Sequence, residues 1–419
     1  MMRLNARRTL LRPYHFAWAV GSAWWYGYPA KKLVVIGVTG TKGKSTVAEM
    51  LHVILTASGK RTALASTIRF AVGEDSRPNL FKMTLPGRGF IQTFLHQALL
   101  QGATHAVVEI TSEAALQYRH VGLALNALVF TNLQREHIES HGSFENYFRA
   151  KLAIGESLVA SPKRPRTIIA NIDDAKGAAF LALPVEHAVP VRLTDAADVT
   201  LADTGVSFTY ANEHFALHQP GAFTVMNALL AVRTAEALGI APGVAARALA
   251  GLARVPGRTE RVEAGQDFLV VVDYAHTPDS LQALYEAYAP RQSSGLGRRL
   301  ICVLGNTGGG RDTWKRPLMG KIAEGACDLV ILTNEDPYDE EPRAIVEAMA
   351  DGMEKKPEII MDRRLAIRRA LAEARPGDAV LISGKGTDPF IMGARSAKKP
   401  WSDAAVVREE LDRLVTSVP

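Results

Sequence analysis

Short apolar runs rich in β-branched residues alternate along the chain with longer segments of helical periodicity. The runs that predict strands, each closing at or beside a Gly, Thr, Asn or Asp, are Lys32–Gly37, His105–Thr111, Ala127–Asn132, Arg166–Asn171, Phe268–Tyr274, Arg299–Gly305, Cys327–Thr333 and Asp378–Gly384. After the first run, Ser45–Ser58 repeats apolar residues at helical spacing and is followed by Gly59, which predicts a helix and its end. The alternation favours an α/β fold with mostly parallel sheets covered on both faces.

The predicted elements divide the chain into three parts. Val189–Leu193 and Gly205–Tyr210 alternate in polarity and predict a small antiparallel insert, which a helix over Val225–Leu238 follows. Val255–Arg258 contains Pro and Gly and predicts a hinge, and a length of 419 residues suits two or three domains. We therefore expect an N-terminal segment at 1–32, a central domain at 33–257 and a C-terminal domain at 258–419.

Composition excludes several classes of protein. Hydrophobic residues make up 47% and charged residues 22%, which is typical of a soluble globular protein and not of a disordered or collagen-like chain. The net charge of +6 has no dominant Lys/Arg run, which argues against a nucleic-acid partner. Cys302 and Cys327 form neither a CxxC metal site nor a disulfide framework, so we expect two buried thiols and a cytoplasmic, reducing compartment.

The N-terminal segment differs in composition from the rest. Residues 1–12 contain four arginines and no acid, whereas residues 13–30 contain no Asp, Glu, Lys or Arg but three of the five tryptophans. The prolines and glycines of this stretch argue against a membrane span. Two interpretations stay open: peripheral association with the inner face of a membrane through residues 1–30, or a segment packed on the next domain or a partner.

A glycine-rich turn separates the first predicted strand from the first predicted helix. Its sequence is Gly40-Thr41-Lys42-Gly43-Lys44-Ser45. Backbone N–H groups of such a turn cradle phosphate oxygens, Lys44 then reaches the β/γ-phosphates, and Ser45 reaches a Mg²⁺ ion. Five residues rather than four separate Gly37 from Gly43, so the spacing is not the strict one. The strand, turn and helix nevertheless predict a P-loop.

Glu109 closes the apolar run that begins at His105. A carboxylate at this strand end is a suitable Mg²⁺ ligand, because hard cations prefer oxygen donors. The alternative is a solvated acid. A P-loop in the same sheet favours the ligand interpretation.

Four segments in chain order resemble the motifs of the Mur ligase family, and most closely those of its tripeptide synthetase branch. They are Val38–Ser45, Phe130–His137, Asp273–Asp279 and Lys315–Gly320. The resemblance implies a central P-loop ATPase domain with a mostly parallel sheet and a C-terminal Rossmann-like α/β domain. It also implies an ATP-dependent amide ligase of cell-wall synthesis, in which ATP phosphorylates a carboxylate of a precursor peptide and the amine of an amino acid displaces the phosphate. Charge develops on phosphoryl oxygens in this reaction, so cations, backbone donors and two Mg²⁺ ions are expected there.

The family motifs assign roles to individual residues. The resemblance places ATP against Gly40, Thr41, Lys42, Gly43, Lys44, Ser45, Thr46, Asn227, Arg258 and Asp273. It assigns catalysis to Lys44, Glu109, His137 and Lys151, and Mg²⁺ binding to Ser45, Glu109, His137 and Lys151, with Lys151 carbamylated. It places the acceptor peptide against Thr84, Ser112, Gln117 and Arg119, and the incoming amino acid against Asp336, Tyr338, Gly384 and Asp388. Without the motifs, His137 and Lys151 would be interpreted as an ordinary loop histidine and an exposed helix lysine.

One departure from the family pattern concerns the incoming amino acid. Glu335-Asp336-Pro337-Tyr338 stands where the family has Asp-Asn-Pro-Arg, so the arginine that clamps the distal carboxylate of meso-diaminopimelate is missing. Because Asp339–Glu341 adds three acids, we hypothesise a pocket for a cationic side chain such as lysine. The alternative is that Asp339–Glu341 is the acidic start of a helix.

Other functions stay open. Some 32 residues precede the P-loop strand, where family members carry a domain that grips uridine diphosphate, so a non-muramyl or lipid-linked acceptor is an alternative. A ligase of folate or polyglutamate, or a P-loop regulatory ATPase that ligates nothing, is another. The amidating relatives carry a cysteine-rich zinc insert that two distant cysteines cannot form. We expect a monomer whose partners are small-molecule substrates.

Overall fold

The structure is a computed structural model that describes residues 11–416, apart from residues 82, 88, 137, 290–297 and 311. His137, a predicted metal ligand, therefore lies outside the described residues. Two large sheets dominate the fold, one before and one after the predicted hinge.

The first large sheet has eight strands. They are β1 Val34–Thr39, β2 Thr62–Ala65, β3 Arg69–Val72, β4 Asp75–Pro78, β5 His105–Glu109, β6 Ala127–Phe130, β7 Thr167–Asn171 and β8 His187–Val191. Their order is β4-β3-β2-β5-β1-β6-β7-β8, with β3 antiparallel to both of its neighbours, β2 and β4, at one edge and all other neighbours parallel. Central strands such as β6 are continuous apolar runs because both faces of the sheet are buried.

Helices cover the faces of the sheets. The first part contains α1 Arg12–Trp25, α2 Lys44–Ala57, α3 Phe90–Leu100, α4 Ser112–Leu116, α5 Ile138–His141, α6 Phe144–Val159, α7 Gly177–Leu181, α8 Ala222–Ala237 and α9 Pro242–Ala250. The second contains α10 Pro278–Tyr288, α11 Lys315–Ala326, α12 Pro342–Ala350, α13 Arg363–Glu373 and α14 Asp403–Thr416. The apolar face predicted for α2, which includes Met50, Leu51 and Ile54, is fully buried.

A small antiparallel sheet follows the first large sheet, as expected, but with a different boundary. Its strands are β9 Ala197–Ala202, β10 Gly205–Tyr210 and β11 Glu213–Leu217. The prediction that Val189–Leu193 belongs to this insert was wrong, because β8 pairs in parallel with β7 and extends the large sheet. A half-exposed edge strand alternates in polarity just as a strand of an antiparallel insert does.

The second large sheet has the order β12-β13-β17-β14-β15-β16, and only β12 is antiparallel to its neighbour. Its strands are β12 Glu260–Arg261, β13 Leu269–Asp273, β14 Leu300–Leu304, β15 Leu329–Leu332, β16 Glu358–Ile359 and β17 Ala379–Ser383. A two-stranded hairpin, β18 Phe390–Met392 and β19 Lys398–Pro400, stands beside it. The predicted strands after the hinge match β13, β14, β15 and β17 to within two residues at each end.

Cys302 and Cys327 form a disulfide, with their Cα atoms 6.1 Å apart. The expectation of two separate thiols was wrong because it considered only their separation along the chain. β14 and β15 are parallel neighbours, and the crossover through α11 returns Cys327 to the position beside Cys302. The cysteines therefore give no ground for assigning a reducing compartment.

α1 packs on the first part through a narrow face of small side chains. Ser22 and Ala23 are buried, and a Cβ added to Gly89 would lie 2.7 Å from the Cβ of Ser22, so the helix touches the backbone beneath it. Trp24 and Trp25 remain 67% and 76% exposed. The segment thus packs on the next domain while presenting aromatic rings to the outside. No helix in the described part of the chain is long and apolar enough to cross a membrane.

The two parts meet where the hinge was predicted. Val255 and Arg258 pair as an isolated bridge around a tight turn. A Cβ added to Gly257 would lie 2.4 Å from the backbone nitrogen of Thr387, so the turn contacts a loop of the second part directly. The division into domains at 257/258 stays a prediction.

Candidate active site

The glycine-rich loop leads from β1 into α2 through close contacts. Gly40 and Gly43 have φ angles of +147° and +79°, which favour glycine. A Cβ on Gly40 would lie 1.9 Å from Thr131 Oγ1, and one on Gly43 would lie 2.4 Å from Asn227 Oδ1. Because Gly43 supplies no side-chain cap to α2, the first amide groups of that helix suit an anionic ligand.

A half-buried lysine, Lys44, and a buried lysine, Lys151, place their amine groups against this loop. Lys44 Nζ donates to Thr41 O at 2.9 Å, and Lys151 Nζ donates to Gly40 O at 2.5 Å. The Lys151 amine also lies 4.7 Å from the ring centre of Tyr147. Burial lowers the pKa of both amines, and the charge of Lys44 lowers the pKa of Lys151 further, to well below its ordinary value. An anion bound here would stabilise their charged forms.

Glu109 ends β5 beneath the loop and is 2% exposed. Its Oε2 accepts hydrogen bonds from Ser45 Oγ at 3.0 Å and from the backbone N–H of Thr67 at 2.8 Å. A hydroxyl and a carboxylate beside a phosphate loop are oxygen donors that fit Mg²⁺, which keeps several waters and substrate oxygens as further ligands. No group of three or more His, Cys, Asp or Glu suited to a metal occurs among the described residues.

The second part of the chain contributes an arginine and a carboxylate to the same place. The Arg258 guanidinium lies 4.4 Å from the ring centre of Tyr274, and one of its nitrogens lies 3.4 Å from Ser45 Oγ. Asp273 accepts two backbone N–H groups, one of them from Thr259 at 2.6 Å. Burial raises the pKa of the Asp273 carboxyl, although Arg258 acts in the opposite direction.

Glu136 joins the two parts across the cleft. Its Oε1 accepts a hydrogen bond from Lys42 Nζ at 3.2 Å and lies 2.8 Å from His276 Nε2. The His276 carbonyl accepts a hydrogen bond from Lys315 Nζ at 2.9 Å. Burial lowers the pKa of Lys42 to about 8, and Glu136 partly opposes this shift. Sequence reasoning missed Glu136, since nothing in the sequence shows that it contacts both parts.

A cavity of about 340 Å³ lies between the loop and the second part. Of the residues predicted to bind ATP, those that line it are Thr41, Lys42, Gly43, Lys44, Ser45, Thr46, Asn227, Arg258 and Asp273. Gly40 does not line it, because its carbonyl bonds Lys151 behind the loop. Thr224, one turn before Asn227 in α8, donates its hydroxyl to Pro220 O at 2.9 Å.

A second cavity of about 680 Å³ adjoins the first, and residues such as Thr41, Lys44 and Glu136 line both. All eight residues predicted to contact the acceptor or the amino acid line it: Thr84, Ser112, Gln117, Arg119, Asp336, Tyr338, Gly384 and Asp388. Lys151 also lines it. The predicted substrate residues are therefore brought together beside the P-loop, although they come from both parts of the chain.

The acceptor side of this cavity is polar and internally bonded. The hydroxyl groups of Thr84 and Thr67 are 2.7 Å apart, and Ser112 Oγ lies 3.1 Å from His141 Nε2. Arg119 donates to a backbone carbonyl and to a glutamine side chain, which fixes the position of its guanidinium. Burial lowers the pKa of Arg119. An anionic ligand bound beside it would stabilise its charged form.

On the amino-acid side, a buried lysine faces the predicted acids. Lys385 Nζ is 2.8 Å from Asp336 Oδ1 and 3.1 Å from Asp388 Oδ2. Burial alone would lower the pKa of Lys385, but Asp388 and Asp336 raise it above its ordinary value. Lys385 therefore offsets one of the two negative charges from within the protein.

Glu335 is the acid of this region with an unpartnered oxygen. Its Oε1 accepts a hydrogen bond from Thr307 Oγ1 at 3.0 Å, whereas its buried Oε2 has no hydrogen-bond partner in the described part of the chain. Burial raises the pKa of the Glu335 carboxyl. A Cβ on Gly384 would lie 2.3 Å from Oε2, so a glycine there leaves room for the carboxylate. The sequence shows Glu335 as a departure from the motif but not its orientation.

The three further acids of the hypothesised cationic pocket have other partners. Glu340 pairs with Arg316 at 2.6 Å, and Asp339 accepts the backbone N–H of Arg395 at 2.6 Å. Glu341 accepts a backbone N–H at the start of α12. These contacts favour the helix-start alternative for Asp339–Glu341.

Comparisons with known proteins agree with this architecture. The Mur ligase middle domain model matches residues 38–235, and the Mur ligase glutamate ligase domain model matches residues 257–386. The UDP-N-acetylmuramyl-tripeptide synthetase of Roseiflexus sp. strain RS-1 is 39% identical, covering 94% of this chain and 81% of the relative. The UDP-N-acetylmuramoyl-L-alanyl-D-glutamate--2,6-diaminopimelate ligase of Syntrophomonas wolfei is 38% identical, covering 89% of this chain and 77% of the relative.

Solved structures are similar over nearly the whole chain. A UDP-N-acetylmuramoyl-L-alanyl-D-glutamate--2,6-diaminopimelate ligase superposes with a TM-score of 0.63 at 29% identity, covering 95% of this chain and 83% of that one. The folylpolyglutamate synthase of Mycobacterium tuberculosis reaches a TM-score of 0.69 at 16% identity, covering 96% of both chains. The second likeness concerns the fold alone. Together they confirm the predicted α/β architecture.

Proposed function

The chain belongs to the Mur ligase family of ATP-dependent, amide-forming ligases, and we propose that it joins an amino acid to a carboxylate of a cell-wall precursor peptide. The observation that supports this most is the meeting of two sets of residues in one cleft. The P-loop with Glu109 comes from the first sheet, and Arg258 with Asp273 comes from the second part. The adjoining cavity then receives the two substrates that are to be joined.

In the proposed reaction, the acceptor carboxylate attacks the γ-phosphorus of ATP, and ADP leaves. The amine of the amino acid attacks the resulting acyl phosphate, loses a proton and displaces inorganic phosphate through a tetrahedral intermediate. Lys44 and the amides at the start of α2 stabilise negative charge on the phosphoryl oxygens. Ser45 and Glu109 would hold Mg²⁺, which neutralises charge on those oxygens when it is bound.

Lys151 is proposed to act as its carbamate. Its depressed pKa favours the neutral amine, which is the form that adds to CO₂. The addition forms an N–C bond, breaks one C–O π bond of CO₂, releases one proton and converts the neutral amine into an anionic carbamate. The carbamate would then support a second Mg²⁺ ion together with His137, which lies outside the described residues.

A cationic amino acid such as lysine remains our proposal for the incoming substrate. Of the three acids Glu335, Asp336 and Asp388, only Glu335 supports this proposal, because Asp336 and Asp388 already face Lys385. A buried carboxylate oxygen without a partner is stabilised by an incoming ammonium group. We further propose that the protein is monomeric and cytoplasmic and that α1 contacts the inner face of a membrane.

Phosphate release from Mg·ATP tests the activity. The full chain is given UDP-N-acetylmuramoyl-dipeptide and one amino acid at a time, with lysine and diaminopimelate compared. We expect release that requires both substrates, is fastest with lysine and is matched by a ligated product in the mass spectrum. Release that no pair of substrates stimulates would contradict ligation to a UDP-linked acceptor, and turnover with diaminopimelate alone would contradict the lysine assignment.

A further inference from the structure

An apolar groove of about 480 Å³ runs between α1 and the segment that leads into α3. Aromatic and aliphatic side chains form its walls: Tyr14, Trp18 and Ala19 on one side and Phe81, Met83, Pro86 and Ile91 on the other. Trp18 is 45% exposed and Phe81 is 47% exposed, so the groove is open to the outside. α1 is essential to the groove, because it supplies one entire wall.

The groove is continuous with the acceptor side of the active site. Phe81, Met83, Gln117 and Arg119 line both the groove and the larger active-site cavity. An acceptor whose carboxylate lies beside the P-loop could therefore extend past Arg119 into the groove. The apolar walls then face the part of the acceptor that does not react.

Two polar side chains of the groove have an atom without a partner. Arg119 lies where the groove joins the active-site cavity, and its Nε is buried without a hydrogen-bond partner in the described part of the chain. Gln92 is 1% exposed and its Oε1 also lacks a partner there. The guanidinium suits an anionic group. The apolar walls beyond it suit a hydrocarbon chain.

We infer that this groove holds the hydrocarbon chain of a lipid-linked acceptor, with the anionic group that follows the chain placed at Arg119. The inference rests on the proposed ligase function, because the continuity of the two cavities gives the groove its role. Leu80, which precedes Phe81 of the groove wall, is 58% exposed and adds apolar surface outside the groove. Burial of a hydrocarbon chain against these walls would supply most of the binding free energy.

Farnesyl phosphate, titrated calorimetrically below its aggregation concentration, tests the groove directly. Trp18→Glu puts a charge into the wall, and we expect it to weaken binding at least about ten-fold. Trp25→Glu is the matched control, since Trp25 lies in the same helix, is 76% exposed and does not line the groove. We expect less than about a two-fold change from Trp25→Glu. Equal melting temperatures would show that both variants fold.

Two binding results would overturn the inference. Wild-type protein that binds no farnesyl phosphate has no such site. Equal weakening by Trp18→Glu and Trp25→Glu would mean adsorption to the aromatic surface of α1 as a whole and not occupation of the groove.

A second assay separates this inference from the ligase function. The same dipeptide acceptor is supplied either on a UDP-sugar or on a prenyl-linked sugar phosphate, and kcat/KM for amide formation is measured. We expect the prenyl-linked acceptor to be favoured by at least about ten-fold and Trp18→Glu to remove this preference. Good turnover of the UDP-linked acceptor that Trp18→Glu leaves unchanged would overturn the groove inference and support ligation. No product from either acceptor, with specific farnesyl phosphate binding retained, would contradict ligation and support the site.

Discussion

Lys151 and Lys385 are equally buried, at 1% and 0% exposure, but their surroundings differ. Lys151 donates to a backbone carbonyl of the P-loop and has a pKa well below its ordinary value. Lys385 lies between Asp336 and Asp388, and these acids raise its pKa despite its burial. Lys151 is thus a buried lysine that readily loses its charge, whereas Lys385 is a buried lysine that keeps its charge and holds two acids in place.

The contrast extends to the two ends of the cleft. At the P-loop, Lys44 and Lys151 donate to backbone carbonyls. An anion that binds there stabilises the charge of Lys44, whereas the amine of Lys151 is the group that we propose is carbamylated. At the other end, Lys385 is already neutralised and positions the loop that carries Glu335 and Asp336. The first arrangement suits chemistry that brings in phosphate. The second suits a rigid wall against which an amino acid is selected.

The largest expected effect is the loss of activity in Lys44→Met. We expect kcat/KM for ATP-dependent ligation to fall about 10³-fold, because the variant removes a cation from the developing phosphoryl charge. The melting temperature should stay level or rise, since burial already disfavours this charge. Lys60→Met, at an exposed position after α2, is the control and should keep full activity. Retained turnover in Lys44→Met would show that the loop does not handle phosphate.

Lys385→Met, in contrast to Lys44→Met, is expected to lower the stability of the protein. Removing the amine leaves the buried Asp336 and the partly buried Asp388 without their cation, which should lower the free energy of unfolding by about 3 kcal/mol. Urea unfolding at neutral pH measures this change. The triple variant with both acids changed to Asn should recover much of the loss. An unchanged unfolding free energy in the single variant would contradict the fixed-cation interpretation.

Lys151→Met should separate function from stability in a third way. We expect about a 10²-fold loss in kcat with little change in melting temperature, since Met keeps the buried aliphatic chain and only the bond to the Gly40 carbonyl and the contact of the amine with the Tyr147 ring disappear. If the carbamate is the active form, wild-type activity should fall when CO₂ and bicarbonate are stripped and return when bicarbonate is added. Insensitivity of the wild type to bicarbonate would argue against carbamylation.

How much of this follows from the sequence depends on whether a feature is local. The P-loop, the apolar strands and the face of α2 are encoded in consecutive residues, so they could be predicted from the pattern. Glu109 could be predicted in the same way, because it ends a strand of the sheet that carries the P-loop and its side chain therefore lies near that loop. Family motifs then indicated residues such as Arg258, whose nitrogen lies 3.4 Å from Ser45 Oγ.

Features that depend on long-range packing could not be predicted in this way. The role of Glu136 in joining the two parts is visible only in the folded structure, where His276 from the other part of the chain lies 2.8 Å away. The disulfide was missed because a parallel crossover brings Cys302 and Cys327 together. Asp336 and Asp388 were predicted to contact the incoming amino acid, and the sequence does not show that Lys385 lies between them.

A smaller effect is expected when Glu335 loses its charge. Glu335→Gln should lower kcat/KM for lysine about ten-fold relative to neutral amino acids, because the buried oxygen can no longer pair with an ammonium group. Glu341→Gln is the matched control, because Glu341 accepts a backbone N–H at the start of α12. Equal selectivity in both variants and the wild type would mean that Glu335 does not select the amino acid.

The smallest expected effect is a fractional proton taken up with ATP. The pKa of Lys42 is lowered to about 8 by burial, from an ordinary value of 10.5, so between these pH values the unfolded chain binds more protons and stability rises with pH. Bound phosphates favour the charged amine. At pH 8 we therefore expect ATP binding to take up about half a proton more in the wild type than in Lys42→Met.

Calorimetry of ATP binding in buffers of different ionisation enthalpy measures that proton. The difference between the wild type and Lys42→Met cancels the protons that ATP itself exchanges. The difference should vanish at pH 6, where Lys42 is protonated before ATP arrives. A difference that stays constant from pH 6 to pH 8 would show that Lys42 is already a fixed cation like Lys385, held by Glu136, and the contrast between the two ends of the cleft would then apply to Lys44 and Lys151 alone.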